Sequence, residues 1–209
     1  MVDSDLALTE LVTAIVAGNL AATSRMLNAS PQLAKISFQA GATRQSPHAY
    51  FLDAIGRYIY QGDTALHMAA AAYQAEAVGK LIAAGANVQA KNRHGDVALH
   101  YAAVGNPGSR RWNPSAQVNT ITCLIKAGAD PNAVNRTGIS PLHRAVRTRC
   151  ADAVSVLLTH GADPARENES GSTPLLLARL NTGRGGSGSP GAKLQQKEIP
   201  RLLGENSPA

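Results

Sequence analysis

Four short stretches of the chain repeat one order of polar and apolar residues. Each begins with glycine, and they read GDTALHMAA from Gly62, GDVALHYAA from Gly95, GISPLHRAV from Gly138 and GSTPLLLAR from Gly171. The spacings between these glycines are 33, 43 and 33 residues. The apolar positions in each stretch predict a short helix that buries one face against a partner helix. A period of this length predicts a repeat architecture.

A second helix is predicted after each of the first three stretches. Three apolar residues at positions i, i+3 and i+4 give this helix one apolar face, and a glycine follows that ends it. These groups are Val78, Leu81 and Ile82 before Gly85, Ile121, Leu124 and Ile125 before Gly128, and Val154, Leu157 and Leu158 before Gly161. Neither helix of a pair can bury its apolar face alone, so neighbouring pairs must stack.

The start of the first helix is marked by capping residues. Thr64, Ser140 and Thr173 offer a hydroxyl to the free backbone N–H groups of a helix N-terminus. Pro141 and Pro174 follow at the first helical position, where the missing N–H costs nothing.

This pattern resembles the ankyrin repeat, of the bacterial, stand-alone type. The resemblance implies an all-α solenoid of about five stacked helix–turn–helix units with long inserted loops, in a single domain over residues 1–209. The expected division is an N-terminal capping unit 6–34, an inserted finger 35–61, repeats 62–94, 95–137 and 138–170, and a C-terminal capping unit 171–204.

The chain departs from the family pattern at several positions. Val97 lacks the capping hydroxyl, and Leu176 replaces the usual histidine of its repeat. Tyr73 and Arg149 occupy the position between the two helices of a unit where the family usually has glycine. Pro200 falls inside the last predicted helix, where proline costs about 3 kcal/mol or causes a kink.

Histidine recurs at one position of the repeat, as His67, His100 and His143. The resemblance implies a structural role, in which each imidazole forms hydrogen bonds with the backbone around the turn. Successive repeats are separated by a helix-packing distance of about 8–10 Å, which is too far for these side chains to share a zinc ion. No metal site is expected.

The inserted finger contains most of the aromatic residues of the chain. These are Phe38, Tyr50, Phe51, Tyr58 and Tyr60. The apolar pairs between Tyr50 and Ile59 follow helical spacing, although residues 58–60 could equally begin a strand. Their aromatic rings either pack on the first two units or form an exposed patch that contacts a protein partner.

Two further insertions interrupt the repeat, at Gly105–Ser115 and Thr182–Lys193. Both lie between the two helices of a unit, two units apart, so they emerge on the same edge of the solenoid. Loops of ten to twelve residues can span the gap of about 20 Å between them. We therefore expect a basic recess there, or loops that only cap the fold with Trp112 over a helix end. Its expected members are Trp112 and the arginines Arg110, Arg111, Arg147, Arg149 and Arg184, with Arg147 and Arg149 as the floor.

Partner binding is expected on the concave face, at the position that follows the repeated histidine. This position holds Met68, Tyr101, Arg144 and, in the last unit, Leu177. Its residue type varies while the framework stays constant, which is typical of exposed positions on a scaffold. Together with Tyr50, Phe51, Tyr58 and Tyr60, the residues Met68, Tyr101 and Arg144 form the predicted protein-binding surface.

Charge and cysteine content refine this interpretation. The net charge is +6, and the excess lies entirely after residue 61. Cys123 is expected in the core, whereas Cys150 lies near Arg147 and Arg149, which would lower its pKa. One such thiol without a base is not an active site. We expect no enzyme activity and no cofactor.

The function expected from these features is a non-enzymatic scaffold that binds an unknown protein partner through the concave face and the finger. The alternative is a receptor for an anionic ligand at the arginine-rich edge. That ligand would be a phosphorylated or carboxylated small molecule or an acidic peptide, with nucleic acid the less expected choice. An enzyme whose pocket is formed by the two long loops is a third possibility. No signal peptide or membrane-crossing segment is expected, and the cytoplasm is the default compartment.

Overall fold

The computed structural model describes residues 3–109, 112–180 and 190–204. Ten α-helices and one two-stranded hairpin occur in these ranges. The helices are α1 (Asp3–Val16), α2 (Leu20–Ala29), α3 (Ala65–Ala71), α4 (Ala75–Ala83), α5 (Ala98–Ala102), α6 (Pro114–Lys126), α7 (Pro141–Arg147), α8 (Ala151–Thr159), α9 (Pro174–Arg179) and α10 (Pro190–Leu202).

Consecutive helices form five pairs that stack in two layers. The first helix of each pair packs against the first helix of the next, as α3 does against α5, and the second helices pack likewise, as α6 does against α8. Leu66, Leu99 and Leu142, at equivalent positions of the first layer, are fully buried between the layers. The all-α solenoid is confirmed.

Ser140 and Thr173 cap their helices as the sequence predicts, whereas the Thr64 hydroxyl lies 3.0 Å from Nδ1 of His67. The Ser140 hydroxyl accepts a hydrogen bond from the His143 N–H at 3.4 Å, and the Thr173 hydroxyl accepts one from the Leu176 N–H at 3.1 Å. At the other end of the second helices, Gly128 has a φ of +93°. This left-handed conformation suits glycine and lets the chain turn out of the helix.

The three repeated histidines connect neighbouring units. In each, Nδ1 accepts a hydrogen bond from the backbone N–H three residues earlier, so Nε2 carries the proton and donates to a carbonyl of the next unit. The Nε2 distances are 3.0 Å from His67 to Asp96, 2.9 Å from His100 to Ile139 and 3.0 Å from His143 to Ser172. Burial lowers the pKa of His100 to about 4. The structural role is confirmed.

Tyr73 and Arg149 adopt the backbone conformation usually reserved for glycine, with φ of 55° and 60°. A non-glycine residue pays about 1–2 kcal/mol for this conformation. The Tyr73 hydroxyl donates a hydrogen bond to the carbonyl oxygen of Val104, which anchors the start of the second insertion. Arg149 is 4% exposed, so its side chain is packed inside the fold.

The inserted finger contains a β-hairpin. Strand β1 (Phe51–Leu52) pairs antiparallel with β2 (Arg57–Tyr58), with Phe51 opposite Tyr58 and Leu52 opposite Arg57. The helix that the spacing of residues 50–59 suggested is therefore not formed, and the strand alternative is confirmed. Gly56 closes the turn with a φ of +61°, a conformation that a continuous helix excludes.

The last helix, α10, extends through Pro200 to Leu202. Ala192 and Ile199 are buried, and α10 packs against α8. The Gln195 side-chain carbonyl also accepts a hydrogen bond from the Ala151 N–H at 2.7 Å. These tertiary contacts hold the last helix in place although its sequence contains a proline.

Candidate functional site

The inner face, meaning the surface of the first-layer helices that faces away from the second layer, is partly covered by the inserted segment. Tyr50, Leu52 and Ile55 pack against the hydrophobic core cluster that contains Met68. Met68 is completely buried. The expectation that Met68 is exposed to a partner is wrong, because its side chain lies inside this core cluster.

Tyr101, at the equivalent position of the next unit, is also buried. Its hydroxyl donates a hydrogen bond to the Asp63 carboxylate, with the two oxygens at 2.9 and 3.0 Å, and accepts one from the Asn92 amide at 2.9 Å. Burial raises the pKa of Asp63, and the hydrogen bonds it accepts from Tyr60, Asn92 and Tyr101 counteract that rise. Tyr101 therefore links two units and is not available to a partner, contrary to expectation.

Arg144 makes the corresponding link one unit further along. Its Nη2 donates to both carboxylate oxygens of Asp96, at 2.8 and 2.7 Å. The side chain stays 30% exposed, so it contributes to the surface, although its charge is matched.

A sequence signal for these links exists and was missed. The residue after the repeat glycine is Asp63, Asp96 or Ile139, and the residue after the histidine position of the following unit is Tyr101, Arg144 or Leu177. Asp63 and Asp96 thus correspond to the polar Tyr101 and Arg144 of the following unit, and Ile139 corresponds to the apolar Leu177. Reading these positions as pairs across units indicates that they contact each other.

Three aromatic residues of the finger form a cluster on the surface, the aromatic cluster of Phe51, Tyr58 and Tyr60. The ring centroids are 4.7 Å apart for Phe51 and Tyr58 and 6.4 Å apart for Tyr58 and Tyr60. His94 packs edge-on against Tyr60 at 4.6 Å, and the Arg93 guanidinium lies 4.9 Å from the same ring centroid. All three aromatic rings are half-buried. Tyr50 is not part of this cluster, since it packs on the core.

The uncovered part of the inner face forms a cleft of about 860 Å³, which we call the basic groove. The hairpin turn 53–57 lines it, together with residues 71–73, the start of the second insertion at 104–106, Trp112, and Arg144 and Arg147 of α7. Strand alternation explains the role of the hairpin, because Arg57 and Leu52 lie on the face opposite to Phe51 and Tyr58. The groove and the aromatic cluster are thus two separate surfaces.

The predicted anion-binding residues are only partly brought together. Trp112 and the exposed Arg147 line the basic groove. Arg149 is buried, so the expectation that it floors an open recess is wrong. Arg110, Arg111 and Arg184 lie outside the described residues. The two insertions do approach each other, since a Cβ added at Gly191 would lie 3.4 Å from the Pro107 carbonyl oxygen.

The second insertion is fastened to the fold around Gly105. The Trp112 indole donates to the Gln117 side chain at 2.9 Å, and Gln117 in turn donates to the Ala102 carbonyl at 2.9 Å. A Cβ on Gly105 would lie 2.5 Å from the Cys150 sulfur and 2.6 Å from the indole nitrogen of Trp112. Glycine is required here because the loop passes this close to its neighbours.

The two thiols are not activated. Burial raises the pKa of Cys150 to about 11, and burial also raises the pKa of Cys123. The expected lowering of the Cys150 pKa by Arg147 and Arg149 is wrong, because the side chain is fully buried. In the part of the chain that the structure describes, no three acidic, histidine or cysteine side chains are grouped as metal ligands would be. No helix there is long and apolar enough to cross a membrane.

Comparison with known families agrees with the geometry. Residues 61–93 match the family model for the ankyrin repeat, and residues 114–185 match the model for ankyrin repeats in three copies. These matches take in half of the chain, which therefore belongs to the ankyrin repeat family. The stretch between them, 94–113, contains most of the second insertion. No curated protein matches the chain.

Proposed function

We propose that this protein is a non-enzymatic scaffold that holds a protein partner in the basic groove, with the aromatic cluster as a second contact surface. Ankyrin repeats generally mediate protein–protein interactions, and the family is typically non-enzymatic. The single observation that carries the proposal is the division of the inner face. The chain's own insertion covers one part of it, and the remaining part is an open cleft of about 860 Å³.

The composition of the two surfaces supports partner binding. Tyrosine and arginine are the residue types enriched where proteins bind each other. Tyr58 and Tyr60 are half-buried, so they are held in place by their neighbours while part of each ring faces solvent. Arg147 is exposed beside the groove on a helix that the solenoid holds rigid. The two tyrosine rings, which their neighbours already hold, lose little conformational entropy on binding.

A variant that fills the groove tests this proposal. Ala54 and Thr137 are exposed and line the groove from opposite elements, so Ala54→Trp/Thr137→Trp should block it without disturbing the core. Ala83→Trp, at an exposed position at the end of α4 outside the groove, is the matched control.

The measurement is retention of proteins from a lysate on the immobilised full chain, followed by titration of each purified protein that is retained. We expect at least one protein whose affinity falls more than tenfold in the groove variant and is unchanged in the control. Retention of every such protein by the groove variant at wild-type affinity would contradict the proposal. If partner binding is lost only in Tyr58→Ser/Tyr60→Ser, the binding site is the aromatic cluster and not the groove.

A further inference from the structure

We infer that the basic groove takes an extended acidic segment of the partner, with carboxylates paired to Arg57 of the hairpin and Arg147 of α7. This inference rests on the proposed function and specifies the chemistry of the partner. Both arginines line the same cleft and come from elements far apart in sequence.

The charge balance of the groove carries the first step. Among the described residues that line it, the charged side chains are Asp53, Arg57, Arg144 and Arg147. Asp96 already matches the charge of Arg144 through two short hydrogen bonds. Arg57 and Arg147 therefore outweigh Asp53, and the groove has a net positive charge. A partner with the opposite charge is favoured and is drawn to the site at long range.

The hydrogen-bonding groups of the groove point the same way. Asn135 and Thr148 line it, but the side chain of each is already engaged, Asn135 with Asp96 and the Ile139 N–H, and Thr148 with Gly105 and Arg144. Arginine has only donors to offer, and the fork of its guanidinium fits a carboxylate. Arg57 and Arg147 thus favour a ligand rich in acceptors, which carboxylates and the carbonyls of an extended backbone supply.

Size and apolar content favour a peptide over a small anion. A volume of about 860 Å³ lies within the range of roughly 300–1,000 Å³ found for ligand clefts, far more than one phosphate fills. Val16, Ile55 and Trp112 also line the groove and offer contacts for aliphatic stems. Nucleic acid is disfavoured, because its binding depends on many phosphate contacts along the backbone, whereas Arg57 and Arg147 are the two cations that the described part of the groove offers beyond the matched Arg144.

The chain provides its own reporter for the test. Trp112 is the only tryptophan and lines the groove, so its emission responds when a ligand enters. The probe is a ten-residue peptide rich in glutamate, and the matched peptide has glutamine at the same positions. Titration is followed by Trp112 emission and, independently, by the anisotropy of a fluorescent label on the peptide.

We expect saturable binding of the glutamate peptide by both signals, at least tenfold tighter than that of the glutamine peptide. Arg147→Gln should weaken it about fivefold, the scale of one exposed ion pair. Arg57→Glu/Arg147→Glu should weaken it more than tenfold. Arg25→Glu/Lys80→Glu makes the same change in net charge on exposed positions of the second layer and should stay within twofold of wild type.

Equal affinity for the two peptides, or anisotropy without a change in Trp112 emission, would overturn the inference. So would an equal response to inorganic phosphate, which would indicate a small-anion site, or tighter binding of oligothymidylate, which would indicate nucleic acid. A partner that no longer binds Ala54→Trp/Thr137→Trp but binds normally to Arg57→Glu/Arg147→Glu would leave the proposed function intact. It would contradict the inference that the groove takes an acidic segment. A partner that binds normally to both variants would contradict the proposed function itself.

Discussion

The inner face differs between the two halves of the solenoid, although both are built from the same repeat. Met68 and Tyr101 are buried, the first in the core and the second on Asp63. Arg144 and Leu177 occupy the same repeat position and remain partly exposed. Position in the repeat therefore fixes which way a residue faces, whereas packing against other parts of the chain decides whether a partner can reach it.

The largest expected difference in stability is between variants of Met68 and Leu177, which occupy the same repeat position in the two halves. Met68→Ala leaves a cavity in a fully packed site, and we expect the free energy of unfolding to fall by about 2–5 kcal/mol. Leu177→Ala removes a half-exposed side chain and should cost roughly 1 kcal/mol. Urea unfolding of the two variants checks this. Equal losses for the two variants would mean that the insertion does not cover the first half.

The histidine that joins the two halves predicts a dependence on pH. His100 has a pKa of about 4 in the folded protein, against about 6.5 in the unfolded chain. Between these values the unfolded chain binds a proton that the folded protein does not, so stability falls as the pH drops from 6.5 to 4. At about 1.4 kcal/mol per unit of pKa, the loss is on the order of 3 kcal/mol.

Urea unfolding of wild type and His100→Gln at several pH values isolates this contribution. Glutamine does not titrate, so the stability of the variant should depend less on pH over the same window. Burial raises the pKa of Asp63 and lowers that of His143, and both groups are present in both proteins. Parallel curves for the two proteins would contradict the buried, neutral state of His100.

The two links between units should differ in strength. Tyr101→Phe removes a hydrogen bond from a buried carboxylate, and we expect a loss of about 2 kcal/mol. Arg144→Ala leaves the Asp96 carboxylate, which is 6% exposed, with a hydrogen bond from Asn135 but without its cation, so about 3 kcal/mol is expected. Chemical unfolding measures both links in double-mutant cycles, one that pairs Tyr101 with Asp63 and one that pairs Arg144 with Asp96. A larger coupling for Tyr101 than for Arg144 would reverse the comparison.

The smallest effect is expected at the aromatic cluster, which lies on the solvent side of the hairpin. Phe51→Ala removes one ring contact at 4.7 Å from Tyr58 and should cost about 1 kcal/mol or less. Thermal unfolding measures this directly. A loss as large as that of Met68→Ala would show that these aromatic rings belong to the core and are not available for binding.

The sequence predicted what each repeat determines locally. The 33-residue period, the capping by Ser140 and Thr173, and the histidine bonds all depend on residues within one unit or on the neighbouring carbonyl, and they were found as predicted. The hairpin could not be predicted, because the spacing of Tyr58 and its neighbours fits a helix and a strand about equally well. Exposure of Met68 and Tyr101 was predicted wrongly, because it depends on packing between units, as in the bond from Tyr101 to Asp63.

The candidate site was predicted less well for the same reason. Arg147 and Trp112 do share a cleft, but no feature of the sequence indicated that Arg57, from a different insertion, lines it as well. Arg149 was expected to floor an open recess, yet its side chain is 4% exposed. These placements follow from tertiary packing and have no counterpart in local spacing.

The central claim, that the inserted segment covers the inner face over α3, is tested most directly by oxidation of methionine with hydrogen peroxide. Met68 is fully buried and Met26 is only partly buried, so Met26 is an internal reference in the unmodified protein. Peptide mass spectrometry should show Met26 oxidised first and Met68 protected. In Tyr50→Ser/Leu52→Ser/Ile55→Ser, which loosens the cover, Met68 should become reactive while the helical circular dichroism is retained. Oxidation of Met68 at the rate of Met26 in wild type, or its continued protection in that variant, would contradict the account.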